Sequence, residues 1–185
     1  LDIGGIYKAA ESGSLDLVWL LGADEIDHAR LTKALVVYQG HHGDRGAHHA
    51  DIVLPGAAYT EKDGIYVNTE GRVQYASRAA FPPGEARDDW AIIRALAARI
   101  GINLGFDTLD ELRDDLIEAV PHFAARDEIA DSRWAKFGGR AKLNAAAISG
   151  ALDGFYMTCA ISRASETMGQ CMMALAEDSA RDAAE

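Results

Sequence analysis

Three short apolar runs, set well apart, constrain the fold of this chain more than any other feature of its sequence. Leu15–Leu21 (LDLVWLL) is apolar at nearly every position and stops at Gly22. Such a run suits a strand buried on both faces of a parallel sheet. Leu35–Tyr38 (LVVY) and Ile52–Leu54 (IVL, closed by Pro55–Gly56) repeat the pattern. Between the first two, Ala23–Lys33 fits a helix of about three turns, with Asp24, Glu25 and Asp27 in its first turn, where the helix dipole favours acids. Strand, helix, strand is a βαβ unit, which implies a right-handed crossover onto a parallel sheet. Ahead of it, Ile3–Ser12 has helical composition and is broken by Gly13. Two or three parallel strands do not make a stable doubly wound sheet, so further strands are expected from other sequence or from a partner. Without them, the apolar faces at Val18–Leu20 and Val36–Tyr38 are expected to lack cover. The chain opens at Leu1 with a helix already under way and reads as a fragment of a longer one.

Downstream, Ile65 and Val67 alternate with Tyr66, and Val73 and Tyr75 alternate with Gln74. With turn residues over Asn68–Gly71, Gly64–Tyr75 predicts a β-hairpin. Phe81–Pro82–Pro83–Gly84 breaks the chain. Glu85–Ile100 then predicts a helix with Trp90, Ile93, Ala97 and Ile100 on one face and Gly101 as its stop. Thr108 followed by Glu111 is a capping box, opening a helix that carries Leu109, Leu112, Leu116 and Val120 and ends at Pro121. Residues 126–152 are polar, alanine-rich and weakly periodic, and read as a loose connection. Ser162–Ala176 predicts a last helix, with Met168, Cys171, Met172 and Leu175 on one packed face. Glu177–Glu185 is read as a frayed tail. The fold class is therefore α/β: a partial doubly wound parallel sheet with a β-hairpin and trailing helices. Residues 1–125 form the α/β domain and residues 126–185 a helical C-terminal extension.

Charge excludes several roles. Against 18 basic residues stand 29 acidic ones, a net charge of −11, which repels nucleic acid and anionic membrane surfaces alike. No apolar run approaches the roughly 20 residues of a spanning helix. Two cysteines, Cys159 and Cys171, match neither CxxC nor ferredoxin spacing and suggest a reducing compartment. Cys171 falls on the apolar stripe and reads as a small buried hydrophobe, whereas Cys159 is open to either reading.

Four histidines, His41, His42, His48 and His49, lie together with Asp44 and Asp51, enough donors for zinc or iron. Adjacent histidines point different ways in regular structure, so the stretch reads as a polar connecting loop in preference to a metal site. Gly40, Gly43 and Gly46 follow a strand and offer backbone N–H groups to a phosphate. Neither GxGxxG nor a P-loop is present, and glycines that permit tight turns are the favoured reading. Glu61, Asp63 and Glu70, with Arg72, read as turn-fixing groups rather than an acid/base pair. No catalytic, cofactor-binding or metal-binding residue is assigned.

The segments LVVYQGHHGD (Leu35–Asp44), ADIVLPGAAYTEK (Ala50–Lys62) and NTEGRVQ (Asn68–Gln74) resemble the molybdopterin oxidoreductase superfamily. VVYQGHHGD and LPGAAYTEK in particular, with PGEARDDWAIIRAL (Pro83–Leu96), Phe155–Thr158 and Ile161–Ser165, are similar to the large peripheral iron–sulfur subunit of respiratory complex I. Two departures stand out: His48–His49 replace less polar residues, and Cys159–Ala160 replace an Asn/Asp–Pro pair, which removes a helix-start signal.

The resemblance implies a molybdopterin-enzyme fold without its molybdenum cofactor. It places 2Fe-2S and 4Fe-4S clusters in an N-terminal part of the parent subunit and none in this segment. Implied partners are that iron–sulfur part and other peripheral-arm subunits, with no nucleic acid and no direct membrane contact. The implied location is peripheral, on the cytoplasmic face of the bacterial inner membrane or the mitochondrial matrix side. The implied role is a structural module within an NADH-to-quinone electron-transfer complex. The rival is a segment of a catalytic, formate dehydrogenase-like molybdenum enzyme, and a free-standing nucleotide-binding domain is a third class.

Overall fold

The computed structural model describes residues 2–129, 131, 136, 138–140, 142 and 154–182. Two compact units divide the chain, Leu1–Asp131 and Ser132–Glu185.

The first unit opens with α1 (Ile3–Ser12), where the sequence predicts it. Asp2 caps it by accepting the Gly5 N–H at 2.7 Å, and Gly13 ends it at φ 75°, a conformation that favours glycine. Strands β1 (Leu17–Leu21), β2 (Leu35–Gly40) and β3 (Ile52–Pro55) pair in parallel in that order, with Val18 opposite Val36 and Tyr38 opposite Val53. This is the expected α/β core.

The crossover from β1 to β2 differs from expectation. Ala23–Lys33 is not a helix; only a 3-10 turn forms, at His28–Leu31. Asp24 is nearly fully buried, and its carboxylate accepts the Tyr38 hydroxyl at 3.0 Å and the Gly46 N–H at 2.8 Å. The Asp27 N–H donates to the Tyr7 hydroxyl at 2.8 Å. A buried carboxylate must keep such partners, so tertiary contacts override the local helical preference.

Cover is also distributed differently. Val18, Leu20, Val36 and Tyr38 are buried in one cluster with Tyr7 and Ala10 of α1 and with Leu31 and Ala34. The uncovered apolar side chains are Leu17, Leu21 and Leu35, together with Ile52 and Val53 of β3, all about half-exposed.

The predicted hairpin forms from β4 (Gly64–Val67) and β5 (Val73–Ala76). Asn68 Oδ1 closes its turn by accepting the N–H groups of Glu70 and Arg72, both at 3.0 Å. Helix α3 (Asp89–Arg99) starts four residues later than Glu85. Arg87 is extended there instead, donating its N–H to the Pro55 carbonyl and accepting that of Ala57. Of its expected packed face, Ala97 is buried while Ile93 and Ile100 are exposed.

Helix α4 (Leu109–Ala119) carries the predicted capping box, with Thr108 Oγ1 accepting the Glu111 N–H and Glu111 Oε2 accepting the Thr108 N–H. Thr108→Ala is expected to lower stability by about 1 kcal/mol, read as a shift in the urea midpoint at constant slope. An unchanged midpoint would mean that α4 does not contribute to the cooperative unit.

In the second unit, α5 (Ala160–Arg163) and α6 (Glu166–Asp182) replace the single helix expected over Ser162–Ala176. Cys159 takes the N-cap position of α5, and its Sγ accepts the Ser162 N–H at 3.4 Å. Met168, Cys171 and Met172 are half-buried, but Leu175 is exposed. Helix α6 continues to Asp182, so the expected fraying over Glu177–Asp182 is corrected. Most of the expected connection over 126–152 lies outside the described residues.

Candidate functional site

Open α/β sheets bind ligands at the carboxyl ends of their strands, and the polar residues of this chain gather there. Strand β2 ends at Gln39–Gly40 beside the end of β3. Gln39 is 0% exposed; its amide nitrogen donates to Asp89 Oδ1 at 2.8 Å and to the Asp89 carbonyl at 3.3 Å. The other oxygen of that carboxylate forms an ion pair with Lys62. Glu61 accepts the Ala58 N–H at 2.9 Å. A Cβ on Gly56 would lie 2.8 Å from Asp89 Oδ1, so a side chain there would displace the carboxylate from its partners. Both oxygens of Asp89 are thus engaged, and the cluster clamps β2, the loop before β4 and the start of α3 together. Among the described residues, Gln39 Oε1 and Trp90 Nε1 are buried without a hydrogen-bond partner.

At the exposed side of this cluster, His41 and His42 meet edge-to-face with their Nδ1 atoms 2.5 Å apart. Burial holds His41 below the usual histidine range, and the charges of His42 and Lys62 act in the same direction.

Asp24, Tyr38 and Gly46 form a second buried strut beneath the histidine segment. The stretch expected to be loop over Gln39–Ala50 contains a short helix, α2 (Arg45–His49), capped by Asp44. His48 and His49 each donate Nδ1–H to a carbonyl four residues back at 2.9 Å, and His49 stacks on His28. Asp51 accepts the Val36 N–H at 2.8 Å. These candidate donors are spread over separate partners, and among the described residues no group of three or more His, Cys, Asp or Glu could hold a metal ion. A Cβ on Gly40 or Gly46 would lie within 2.6 Å of the Tyr38 side chain, so these glycines admit that ring.

The remaining candidates do not converge. Asp63 accepts the Arg78 N–H at 3.0 Å, Glu70 lies 3.4 Å from the Asn68 amide, and Arg72 donates to the Asp127 carbonyl at 3.0 Å. Cys159 is exposed, and the Ser162 hydroxyl beside it holds its thiol below the usual range. Sequence reasoning missed Gln39, Lys62 and Asp89. One signal was available: a glutamine at the end of an apolar strand run must find a buried partner.

Residues 3–99 match the molybdopterin oxidoreductase family, and residues 126–171 match the C-terminal family of the NADH-ubiquinone oxidoreductase G-type subunit. The G-type NADH-quinone oxidoreductase subunit of Rickettsia felis is 46% identical over 174 residues, covering 94% of this chain and 26% of its own length. The mitochondrial NADH-ubiquinone oxidoreductase 78 kDa subunit of Neurospora crassa is 46% identical over 166 residues, covering 85% and 22%. The chain thus spans about a quarter of the length of these relatives.

Proposed function

Because this chain belongs to the molybdopterin oxidoreductase family and matches the C-terminal region of the G-type NADH-quinone oxidoreductase subunit, we propose that it is a structural module of the peripheral arm of respiratory complex I. In this reading the segment holds no redox centre and no catalytic residue. The observation that carries it is the clamp at the strand ends, where Asp89 holds both Gln39 and Lys62 and the polar groups are taken up within the chain. Residues 1–125 supply the α/β part, and residues 126–185 form a helical extension that holds the module in the parent subunit.

The 2Fe-2S and 4Fe-4S clusters then sit in the N-terminal part of that subunit, which is one partner, and other peripheral-arm subunits are the rest. The module lies on the cytoplasmic face of the bacterial inner membrane or the mitochondrial matrix side. Among the described residues no helix is long and apolar enough to cross a membrane, and the net charge disfavours anionic lipid. The match of residues 126–171 favours this reading over a catalytic molybdenum enzyme.

Elemental analysis of the chain, purified without metal-affinity resin, tests it. Molybdenum and iron are expected only in traces. Either metal at one equivalent would overturn the scaffold reading.

A further inference from the structure

Helix α3 leaves an apolar groove of about 510 Å³ along one flank, lined by Leu54, Ile92, Ala95 and Leu96, with the cations Arg87 and Arg99. The groove adjoins β3, which pairs with β2 on one side only. On its other side, among the described residues, there is a single parallel bridge, between Gly56 and Arg87. Ile52 and Val53 of this strand are about half-exposed. Arg99 meets no carboxylate among the described residues, whereas the Arg87 guanidinium donates to the Gly84 and Ala86 carbonyls and reaches the exposed Glu85 at 3.6 Å. A groove whose ionised lining groups are all cations, on a chain of net charge −11, complements an anionic partner.

We propose that this groove docks an extended segment of a neighbouring subunit, one that carries an aliphatic side chain and an Asp or Glu. The segment lies beside β3 as a fourth strand and continues the pairing that Arg87 begins. Backbone hydrogen bonds to the open edge supply affinity, and alternate side chains enter the groove. The acid meets Arg99. A second copy of this chain fits less well: two-fold pairing at this edge would bring Arg87 and Arg99 of both copies together. The inference rests on the peripheral-arm reading, since it takes its partner from that assembly.

The test uses the purified, assembled complex, with photoreactive benzoylphenylalanine in place of Ala95 in the parent subunit. Irradiation is expected to cross-link this position to one segment of another subunit that carries an acidic residue within a few positions. Adding Arg99→Glu, at an exposed position, is expected to reduce that cross-link ~5-fold or more, equivalent to roughly 1 kcal/mol of docking free energy. A cross-link to the parent subunit itself, to a second copy or to phospholipid, or none at all, overturns the docking surface. Absence of the unmodified parent subunit from the purified complex overturns the peripheral-arm reading itself, so the two failures are told apart.

Discussion

Tyr38→Ala is expected to lower the unfolding free energy of the chain by about 3–5 kcal/mol, the range for emptying an aromatic site in a packed core. Tyr38 is 2% exposed, sits at the centre of the buried cluster and fills the space that Gly40 and Gly46 leave open. Its hydroxyl donates to Asp24, itself 3% exposed. Removing the ring therefore empties a cavity and strips a buried carboxylate of one of its two described donors at once. Domains of this size hold only about 5–15 kcal/mol in total, so the variant is expected to approach loss of cooperative folding. Tyr38→Phe separates the two effects: it keeps the ring and is expected to cost about 1–3 kcal/mol through the unsatisfied carboxylate. Denaturant unfolding at constant slope reads both. Losses below about 1 kcal/mol for Tyr38→Ala would show that this cluster is not the core of the first unit.

Asp89→Ala is expected to cost about 2–4 kcal/mol, because one truncation removes the ion-pair partner of Lys62 and leaves the Gln39 amide only the Asp89 carbonyl, at 3.3 Å. Gln39 has no solvent to turn to, and the Lys62 and Asp89 side chains are themselves only 23% and 27% exposed. Asp89→Asn keeps an acceptor for the Gln39 amide and loses the ion pair, so it is expected to cost clearly less than Asp89→Ala. Combining Asp89→Ala with Lys62→Met tests the connection. Groups in one network are non-additive, and the double variant is expected to be destabilised by less than the sum of the two single changes. Strict additivity would mean that the clamp is not a unit, and the structural reading of the strand ends would lose its support.

Asp24 marks the point where local patterns stop being informative. Three acids at the head of Ala23–Lys33 look like a helix first turn, because in a helix that is where they belong. What decides the segment is a residue fourteen positions away: the Tyr38 hydroxyl takes the Asp24 carboxylate inward, and the stretch gives up all but one 3-10 turn. The late start of α3 has the same origin. Arg87 is drawn into extended pairing with Pro55 and Ala57, so the helix waits until Asp89. Cys159 departs in the other direction: a thiol serves as N-cap, although Thr158, a standard capping residue, stands immediately before it.

By itself the sequence determined the elements whose signals lie within a few residues of one another. These are α1 with Gly13 at its end, the hairpin around Asn68–Gly71, the capping box of Thr108 and Glu111, and the three apolar strand runs. Each depends on backbone geometry and short-range hydrogen bonds, which neighbouring side chains set directly. Only the tertiary structure decided which face of the sheet is covered, that Gly40 and Gly46 make room for a ring, and that Gln39, Lys62 and Asp89 close on one another. Gln39 and Asp89 stand fifty residues apart, and no periodicity links them. They meet because a buried amide and a half-buried ion pair must find partners somewhere, and the folded chain brings these within reach.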